Sequence, residues 1–424
     1  MRFALLTIGT AGDVHPLIGV GLALKRRGHE VVLVTNPHFQ ERIARVGLGF
    51  WPLGTADEYA AMVASPRLVH RSGGPMFVLH NLMIPAIVPT VRALEHLRTA
   101  FKPDAVLAHH IALGAPHACE RYRIPCATAV LAPLFWLSRH EPIVYPNVRV
   151  ENLSRLADRA LRRVLRLSAR FIIDRPVSRA KREAGLPPVR NLVYTEARGV
   201  DPDRPVLALW SRQFRPPLPD DPTRGRICGF SWFDRGAPAH KPDEAELDRF
   251  LDEGEPPLVF TLGSSVVHHG QDVFDLAARA TERLGRRALL LTGSRESART
   301  ARPGGAGVRA VPYAPFSRIL PAGCCTIHHG GIGTTAQALR AGRPAVVIPF
   351  ANDEFDNAAR ARRLGAAVTV PRSGLSLKTL CGAIDRALGD PAIKGTAALI
   401  GQKLVSEDGA ETAASELERI AGRS

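Results

Sequence analysis

Several residue types that would indicate particular protein classes are scarce in this sequence. Six cysteines in 424 residues are too few for a disulfide scaffold, and no Cys-x-x-Cys pair suggests a zinc or redox site. We interpret all six as buried thiols. No apolar run reaches the roughly 18 residues of a spanning helix, and the best candidate, Met76–Val91, is interrupted by Pro85 and Pro89. The apolar run Phe3–Ile8 is too short for a signal peptide. These absences predict a cytoplasmic chain that is neither secreted nor membrane-spanning.

Lysine is also scarce, since 7 Lys stand against 49 Arg, although the formal net charge is +16. This excess favours an anionic partner, but the basic residues are spread along the chain and accompany no nucleic-acid-binding motif, so we expect no nucleic-acid partner. A diffuse positive field also suits a small phosphate-bearing substrate or an anionic membrane surface. Hydrophobic residues at 45% and charged residues at 23% argue against disorder.

Short apolar runs alternate with helical patterns in both halves, which predicts parallel sheets built from β-α-β units. The chain length favours two or three domains. Helices are predicted over Pro16–Arg27 and from about Pro37 to Val46, and the tail Leu375–Ile420 is helical in pattern. The predicted strands are Phe3–Ile8, Val31–Thr35, Ala105–Ala108, Cys126–Val130, Val206–Trp210, Pro257–Leu262, Ala288–Leu291, Gly307–Val311, Cys325–His328 and Ala345–Ile348.

The division between the two halves is marked by a proline-rich segment, Phe214–Pro222, which reads as a stiff linker. We therefore predict an N-terminal domain over residues 1–213, a linker over 214–224, and a C-terminal domain with a helical tail over 225–424. Each domain is a doubly wound α/β sheet. Ligands of such sheets bind at the carboxyl ends of the strands, so we expect the two domains to face each other across a ligand-binding cleft.

The strongest chemical signal is the sequence Thr-Ile-His-His-Gly-Gly-Ile-Gly-Thr-Thr at residues 326–335, between a predicted strand and a helix. Glycines and hydroxyl residues at a helix start expose backbone N–H groups to an anion, and a neighbouring imidazole can donate to a phosphate oxygen. The alternative is a tight turn whose histidines, His328 and His329, are incidental.

A second glycine loop, Gly263-Ser264-Ser265, follows another strand of the same half. Two such loops on one sheet could bind the two phosphates of a diphosphate. Neither loop is a P-loop, because Gly-Lys-Ser/Thr is missing, and neither reads Gly-x-Gly-x-x-Gly with an acidic residue about 20 positions later.

Two further segments carry polar side chains after strands. Residues 352–357 hold three carboxylates and two amides, which suits hydrogen bonding to sugar hydroxyls, although Asn352 or Asp353 could simply cap a helix. Residues 9–16 hold Asp13 and His15, and either could take a proton from an acceptor hydroxyl. The alternative there is that Asp13 caps the following helix and His15 packs locally.

These four segments, in this order and spacing, resemble the inverting GT-B glycosyltransferases that use nucleoside-diphosphate sugars, over almost the whole chain. The resemblance is closest to the branch of the rhamnolipid rhamnosyltransferase, the sterol glucosyltransferases and the glycopeptide-antibiotic glycosyltransferases. It implies a GT-B fold of two Rossmann-like domains, with Asp13 as the general base. His15 departs from the rhamnosyltransferase pattern and keeps the choice of base open.

The resemblance also implies the binding residues of the nucleotide sugar. Among them His328, rather than His329, contacts the phosphates, and the backbone near Val311 holds the nucleobase. The sugar-binding pair is Asp353 and Glu354, where Glu replaces the usual Gln and leaves the identity of the sugar open, because an ionised carboxylate cannot donate a hydrogen bond. The implied diphosphate-binding set is Gly12, Gly263, Ser264, Ser265, Val311, His328, Gly330, Gly331, Ile332, Gly333 and Thr334.

The function implied is inverting transfer of a hexose from a thymidine- or uridine-diphosphate sugar to a hydroxyl or carboxyl of a hydrophobic small molecule or lipid. No metal site and no cofactor are expected, since backbone N–H groups and a helix N-terminus would stabilise the leaving diphosphate. The alternatives are a sugar-nucleotide epimerase of the same fold and a non-catalytic nucleotide-sugar or nucleic-acid binding protein.

The acceptor is expected at the N-terminal domain, where residues 66–91 and 134–185 lack the β-α rhythm and are predicted to form pocket walls. Residues 151–185 carry ten Arg or Lys against four acidic residues. Apolar residues recur there at helical spacing, namely Leu153, Leu156, Leu161, Val164, Leu165 and Phe171. This pattern indicates either a basic amphipathic helix at the inner face of an anionic membrane or a surface helix packed on its own domain.

Overall fold

In the computed structural model, the described residues are 1–142, 144–145, 148–149, 160, 163–164, 167–189, 204–234, 244–300 and 307–422. The chain divides into two compact units. Unit 1 comprises Met1–Leu68, Ser72–Phe233 and Asp408–Ser424, and unit 2 comprises Val69–Arg71 and Asp234–Glu407.

Unit 1 is built on a seven-stranded parallel sheet. Its strands are β1 Arg2–Leu6, β2 Glu30–Thr35, β3 Gly49–Pro52, β4 Ala105–His109, β5 Cys126–Val130, β8 Val206–Ala208 and β9 Gly225–Ile227. Their order in the sheet is β3-β2-β1-β4-β5-β8-β9. A small antiparallel hairpin, formed by β6 Val144–Tyr145 and β7 Val148–Arg149, lies between β5 and β8 along the chain.

The helices of unit 1 cover the sheet. They are α1 Ala11–Arg26, α2 Gln40–Arg45, α3 Ala56–Ala64, α4 Gly74–Val78, α5 Ile87–Ala100, α6 Ala115–Tyr122 and α7 Arg175–Glu183, with α17 Gly409–Ala421 at the other end of the chain. Short 3-10 helices span Pro37–Phe39, Pro66–Val69 and Pro133–Phe135, and π-helical turns span Leu79–Met83 and Arg170–Asp174. The central strands are almost entirely apolar and buried, as expected for parallel strands covered on both faces.

Unit 2 repeats this architecture with six parallel strands in the order β12-β11-β10-β13-β14-β15. Its strands are β10 Leu258–Thr261, β11 Ala288–Leu291, β12 Val308–Val311, β13 Cys325–His328, β14 Ala345–Val347 and β15 Ala367–Thr369. Its helices are α8 Glu244–Asp252, α9 Gly263–Val266, α10 Gln271–Arg283, α11 Arg295–Thr300, α12 Phe316–Ala322, α13 Ile332–Arg340, α14 Glu354–Arg363, α15 Leu377–Gly389 and α16 Pro391–Val405, with 3-10 turns at Val267–His269 and Arg372–Gly374.

Both sheets have the doubly wound Rossmann order, which confirms the predicted fold class. In unit 1 the strand order reverses between β1 and β4, and in unit 2 it reverses between β10 and β13. The crevice at the carboxyl ends of such a strand pair is where ligands of these sheets bind. The loops after β1, β4, β10 and β13 are therefore the positions from which side chains can reach a ligand.

Most predicted strands are present within one or two residues, and the tail after Leu375 is helical as expected. Five of the described strands were not predicted from the sequence, namely β3, β6, β7, β9 and β15. The first helix begins at Ala11 rather than at Pro16, which lies inside it. The turn after β1 is therefore only a few residues long, and Asp13 lies in the first turn of α1.

The boundary between the units differs from the predicted one. The proline-rich segment 214–224 connects β8 to β9 inside unit 1, and, apart from Val69–Arg71, the chain enters unit 2 after Phe233. The helix α17 is held to unit 1 by three contacts. Arg27 forms an ion pair with Glu418, His29 Nε2 lies 2.7 Å from the same carboxylate, and the Gly409 N–H donates to the Phe230 carbonyl at 3.0 Å. The predicted boundary was based on local proline content, which carries no information about contacts between residues far apart in the sequence.

Among the described residues, no single helix has the length and apolarity needed to cross a membrane. The helical segment Gly74–Met83 and helix α5 would meet those criteria only together, and they are bent by 42° at the break between them. Several of their side chains, including Leu79, Ile87 and Leu94, are buried in the core of unit 1. The six cysteines are free, and four of them are buried.

Candidate functional site

Asp13 lies at the carboxyl end of β1, in the first turn of α1. Its Oδ2 atom accepts hydrogen bonds from the Thr10 backbone N–H at 2.7 Å and the Thr10 hydroxyl at 3.3 Å. Gly9 has φ +111°, and a Cβ atom there would lie 2.3 Å from this oxygen, so glycine lets the carboxylate fold back onto the turn. The side chain stays partly exposed, and its orientation is fixed by the turn that also starts the helix.

His15 lies further along the same helix and is engaged differently. Its Nε2 atom lies 2.5 Å from a guanidinium nitrogen of Arg42, and its ring packs edge-on against Phe233. Burial and the Arg42 charge lower the pKa of His15 to about 3. Because a guanidinium can only donate, the Nε2 lone pair is occupied by this contact. The ring is thus neutral and its basic nitrogen is already paired.

In unit 2, His328 is the last residue of β13 and is almost fully buried. Its Nδ1 atom accepts the Gly330 backbone N–H at 3.1 Å, and burial lowers the pKa of the ring to about 3. A neutral imidazole that accepts at Nδ1 carries its proton on Nε2. His328 therefore has one N–H donor, in a loop that leads into the N-terminus of α13.

The two predicted glycine loops are neighbours in space. Thr261 at the end of β10 lies in register with His328 at the end of β13, and the ring of His329 lies between the loops that follow. A Cβ atom on Gly263 would lie 2.3 Å from His329 Cε1, and one on Gly331 would lie 2.4 Å from His329 Nε2. Both positions must be glycine for this ring to fit, so the second histidine of the motif packs the loops together.

Most of the remaining residues of the predicted diphosphate-binding set lie on these loops, but Val311 and Gly12 lie elsewhere. Ser264 and Ser265 form part of the short helix α9, while Ile332, Gly333 and Thr334 form the first turn of α13, which runs for nine residues. A Cβ atom on Gly333 would meet no atom within 4 Å. Val311 ends β12, and its carbonyl accepts the Thr292 backbone N–H at 3.0 Å. Gly12 lies in unit 1, in the first turn of α1.

The acidic segment after β14 contacts the histidine loop through an amide. Asn357 donates from Nδ2 to the Gly330 carbonyl at 3.0 Å and to Asp353 Oδ2 at 2.7 Å. Asn352 has φ +52°, a left-handed turn that asparagine tolerates better than most residues. Asp353 is thereby fixed relative to the loop of His328, and burial raises its pKa to about 6.

Glu354 has a different environment from that expected of a solvated carboxylate. Its Oε2 atom accepts the backbone N–H groups of Phe350 at 2.7 Å and Ala351 at 2.9 Å. Burial raises the pKa of its carboxyl to about 8, so the group is largely protonated at neutral pH. A protonated carboxyl has one O–H donor, as well as an acceptor. The chemical difference from glutamine is therefore smaller than the sequence suggested.

The predicted acceptor region lies partly outside the described residues, which do not include Leu153, Leu156, Leu161 and Leu165. Val164 and Phe171 are described, and their exposed fractions are 57% and 58%. Leu167 and Ile172 are also exposed. A surface depression of about 800 Å³ borders this stretch, and its lining includes Leu167, Phe171 and Val189 together with four arginines, Arg170, Arg175, Arg179 and Arg182.

The sequence did not single out His109, and it did not show the structural role of Asn357, one of the two amides in residues 352–357. His109 ends β4, and its Nε2 atom lies 3.9 Å from Asp13 Oδ1. Asn357 joins Asp353 to the His328 loop. The sequence signal for His109 was a polar residue at the end of an apolar run, but its proximity to Asp13 depends on the pairing of β1 with β4. Among the described residues, no group of three or more His, Cys, Asp or Glu side chains has the geometry of a metal site.

Comparison with known protein families and sequences gives matches along most of the chain. Residues 3–138 match the glycosyltransferase family 28 N-terminal domain, and residues 290–420 match the erythromycin biosynthesis protein CIII-like C-terminal domain. The chain is 32% identical to O-mycaminosyltylonolide 6-deoxyallosyltransferase of Streptomyces fradiae, over 97% of this chain and 96% of that protein. It is 27% identical to the sterol 3-beta-glucosyltransferase UGT80A2 of Arabidopsis thaliana, over 96% of this chain and 64% of the relative.

Solved structures share the fold at lower sequence identity. The glycotransferase of kitacinnamycin superposes with a TM-score of 0.72 at 18% identity and covers 99% of both chains. The calicheamicin glycosyltransferase CalG4 gives 0.72 at 19% identity, over 100% of this chain and 98% of that one. VinC, solved in complex with DTDP, gives 0.69 at 20% identity over the full length of both chains.

Proposed function

The chain belongs to the GT-B glycosyltransferases that use nucleotide sugars, the family of O-mycaminosyltylonolide 6-deoxyallosyltransferase, and we propose a specific reaction for it. The reaction is inverting transfer of a hexose from a thymidine- or uridine-diphosphate sugar to a hydroxyl or carboxyl group of a hydrophobic acceptor. The observation that carries the proposal is the position of Asp13 and His328, which lie at the strand-order reversals of their respective sheets.

Unit 2 would bind the donor. The N-terminus of α13, which follows Gly331, carries backbone N–H groups and the positive end of a helix dipole, both of which favour a diphosphate. The Nε2–H of neutral His328 adds one donor, and Ser264 and Ser265 lie on the neighbouring loop. As the bond to the sugar breaks, negative charge grows on the diphosphate, and donors already in position stabilise it without reorganisation.

Asp353 and Glu354 would bind the hydroxyls of the transferred sugar. Asp353 is held by Asn357 beside the His328 loop, so a sugar attached to a diphosphate in that loop would lie within its reach. Glu354 is largely protonated at neutral pH and could donate one hydrogen bond, as the amide of a glutamine would at this position. Its Oε2 atom already accepts two backbone N–H groups, which fixes the side chain.

Unit 1 would supply the general base, and Asp13 fits this role better than His15. The carboxylate takes the proton of the acceptor hydroxyl while that oxygen attacks the anomeric carbon from the face opposite the diphosphate. A positioned general base contributes about 10²–10⁴-fold to such a step. His15 is less suited because Arg42 occupies its Nε2 atom and its pKa is about 3.

The proposed acceptor is hydrophobic. The relatives are named for a tylonolide and for sterols as acceptors. Among the described residues of 164–172, four apolar side chains have exposed fractions between 47% and 58%. They are Val164, Leu167, Phe171 and Ile172.

Together with the helix that follows, these side chains suit contact with an anionic membrane, which would also present a lipid acceptor. Four arginines accompany the apolar side chains within residues 167–185. The same residues include two acidic side chains, of which Asp174 is buried and Glu183 is exposed. Apolar side chains of this kind enter the boundary between headgroups and acyl chains, and the arginines attract anionic lipids. The arginines are Arg170, Arg175, Arg179 and Arg182.

A thermal-shift panel followed by product analysis tests the proposed function. A ligand at 100 times its dissociation constant stabilises a protein by about 2.7 kcal/mol, so thymidine or uridine diphosphate should raise the melting temperature whereas adenosine diphosphate should raise it less. Incubation with the matching sugar nucleotide and a panel of hydrophobic alcohols should then give a glycoside of inverted configuration. Conversion of the sugar nucleotide to its epimer without transfer, or a DNA gel shift without turnover, would refute the proposal.

A further inference from the structure

The end of β4 carries two adjacent histidines that no sequence motif explains. His109 is 1% exposed and His110 is 9% exposed, and their rings pack edge-on with centroids 4.6 Å apart. Within the described part of the chain, His109 Nε2 and both ring nitrogens of His110 find no hydrogen-bond partner. Buried polar atoms are nearly always paired, so an unpaired ring nitrogen facing a candidate catalytic group requires an explanation.

The position of His109 follows from the sheet. Strands β1 and β4 are paired in parallel, with Leu6 opposite Ala108, so the residues that follow each strand are neighbours. His109 Nδ1 lies 3.3 Å from the Thr7 hydroxyl, and Nε2 lies 3.9 Å from Asp13 Oδ1. The other carboxylate oxygen of Asp13 is held by Thr10. The ring therefore faces the oxygen that Thr10 does not hold.

The neighbours of His109 determine which ring nitrogen carries the proton. His109 Nδ1 lies within hydrogen-bond distance of the Thr7 hydroxyl, at 3.3 Å, whereas Nε2 has no hydrogen-bond partner in the described residues. The Thr7 hydroxyl, 3.0 Å from the Asp13 carbonyl, donates its single proton there and can only accept from the ring. Burial and the adjacent His110 hold the pKa of His109 well below its usual value. The ring is thus neutral, with the Nε2 lone pair directed at Asp13.

In the resting enzyme, a lone pair and a carboxylate oxygen face each other with no proton between them, which agrees with a separation too long for a hydrogen bond. One added proton would convert this contact into an O–H···N hydrogen bond. We propose that His109 is a positioning residue for Asp13 and that its Nε2 atom accepts a hydrogen bond from the carboxylic acid formed when Asp13 takes the acceptor's proton. This inference rests on the proposed function.

The step balances without any further reactant. The acceptor O–H proton moves to Asp13 Oδ1, and the electron pair of that bond forms the new bond from oxygen to the anomeric carbon. The bond from that carbon to the diphosphate breaks, and its electron pair leaves with the diphosphate. A lone carboxylate, with a pKa near 3.9 in water, is a weak base for an alcohol. The acceptor atom Nε2 of His109, beside the carboxylate, stabilises the proton after transfer. It thereby increases the basicity of Asp13.

Substitution of His109 by Phe tests the proposal, because Phe keeps the ring and its packing on His110 but removes the lone pair. We expect kcat to fall about 10- to 100-fold, the factor that a hydrogen bond to an ionisable group is worth, while KM for the donor changes less than about twofold. His109→Gln, whose amide oxygen can accept a hydrogen bond, should recover part of the loss. In an Asp13→Asn background, His109→Phe should cause no further loss. A wild-type kcat in His109→Phe, or additive losses in the double variant, would overturn the proposal.

A matched control is available elsewhere on the same sheet. His29 precedes β2 and its Nε2 atom lies 2.7 Å from Glu418, so it is also a histidine paired with a carboxylate. His29→Phe should lower stability but leave kcat unchanged. Loss of kcat in this control equal to that of His109→Phe would show that packing alone accounts for the effect, and would overturn the proposal.

Nitrogen-15 NMR of the imidazole rings shows, independently of turnover, which ring nitrogen of His109 carries the proton. His109, assigned by the signal lost in His109→Phe, should show a protonated Nδ1 and an unprotonated Nε2 at neutral pH. A protonated Nε2 would overturn the proposal even in an active enzyme. If no sugar nucleotide supported turnover of the wild-type protein, the proposed function would fail, and the NMR result would still confirm or refute the ring's orientation toward Asp13.

Discussion

At the scale of single residues, the chemistry of unit 1 depends on how one carboxylate is held. One oxygen of Asp13 closes the first turn of α1 by accepting the Thr10 N–H. Asp13 therefore helps to cap this helix, which was the alternative to a catalytic role. Capping does not exclude catalysis, because it fixes the direction of the second oxygen. The same turn that begins the helix thus orients the proposed base.

Asp13→Asn should separate these two roles. The amide oxygen of Asn can still accept the Thr10 N–H, so we expect a folded protein with unchanged affinity for the nucleoside diphosphate. Turnover should fall about 10²–10⁴-fold, because the base is lost. Steady-state kinetics and a nucleotide thermal shift on the same samples measure both. An active Asp13→Asn together with an inactive His15→Ala would transfer the role of base to His15.

Glu354 makes the stability of unit 2 depend on pH. Its folded-state pKa of about 8 lies above the ordinary value of 4.5, so between these values the folded state binds a proton that the unfolded state has released. The stability from this group is complete below pH 4.5 and is lost as pH rises through about 8. We expect Glu354→Gln to remove this slope and to stabilise the protein at pH 8 by a few kcal/mol. Melting temperatures of both proteins from about pH 5 to 9 provide the measurement, and parallel curves would contradict the expectation.

At the scale of elements, the glycine loops of unit 2 require space for His329. Gly263 has φ +64°, and an added Cβ would collide with that ring. Gly263→Ala should therefore destabilise unit 2 by about 1–3 kcal/mol and weaken nucleoside diphosphate binding. Gly382→Ala is the matched control, since a Cβ added to that helical glycine would meet no atom within 4 Å and alanine favours helix. Equal melting temperatures for the two variants would show that the loops tolerate the change.

The exposed stretch before and within α7 makes a separate prediction. Vesicles containing phosphatidylserine should sediment with the wild-type protein at low salt, and neutral vesicles should not. Replacing Phe171 and Ile172 by Ser should abolish binding, whereas the same change at exposed Leu399 and Val405 in unit 2 should not. Equal binding by both double variants would instead indicate a general effect of the positive charge, and no binding by wild type would remove the membrane from the proposed function.

Elements with local signals could be predicted from the sequence, and elements defined by distant contacts could not. The central strands and both glycine loops carry apolar runs and glycine motifs. Strand β15 is only three residues long and β3 includes a glycine and a proline, so neither has a local pattern. His109 has no motif, because its relation to Asp13 comes from the pairing of β1 with β4. The protonation of Glu354 depends on burial, which the sequence does not specify.

At the scale of the whole molecule, the proposed donors for the diphosphate are backbone amides, a helix N-terminus and a histidine rather than carboxylate clusters. We therefore expect turnover to be independent of metal ions. Activity should be unchanged after exhaustive treatment with EDTA and on later addition of Mg²⁺ or Mn²⁺. Loss of turnover in chelator and recovery with Mg²⁺ would contradict this expectation.

The return of α17 to unit 1 has a consequence for protein engineering. Unit 2 is effectively an insertion, since residues on both sides of 234–407 belong to unit 1 and Gly409 packs against Gly229 without room for a Cβ atom. Chimeras designed to exchange donor specificity with a relative should therefore join the parental sequences near positions 233 and 408. A single crossover at the proline-rich segment would pair a foreign terminal helix with the native α1. Position 418 would then come from one parent and its partners Arg27 and His29 from the other.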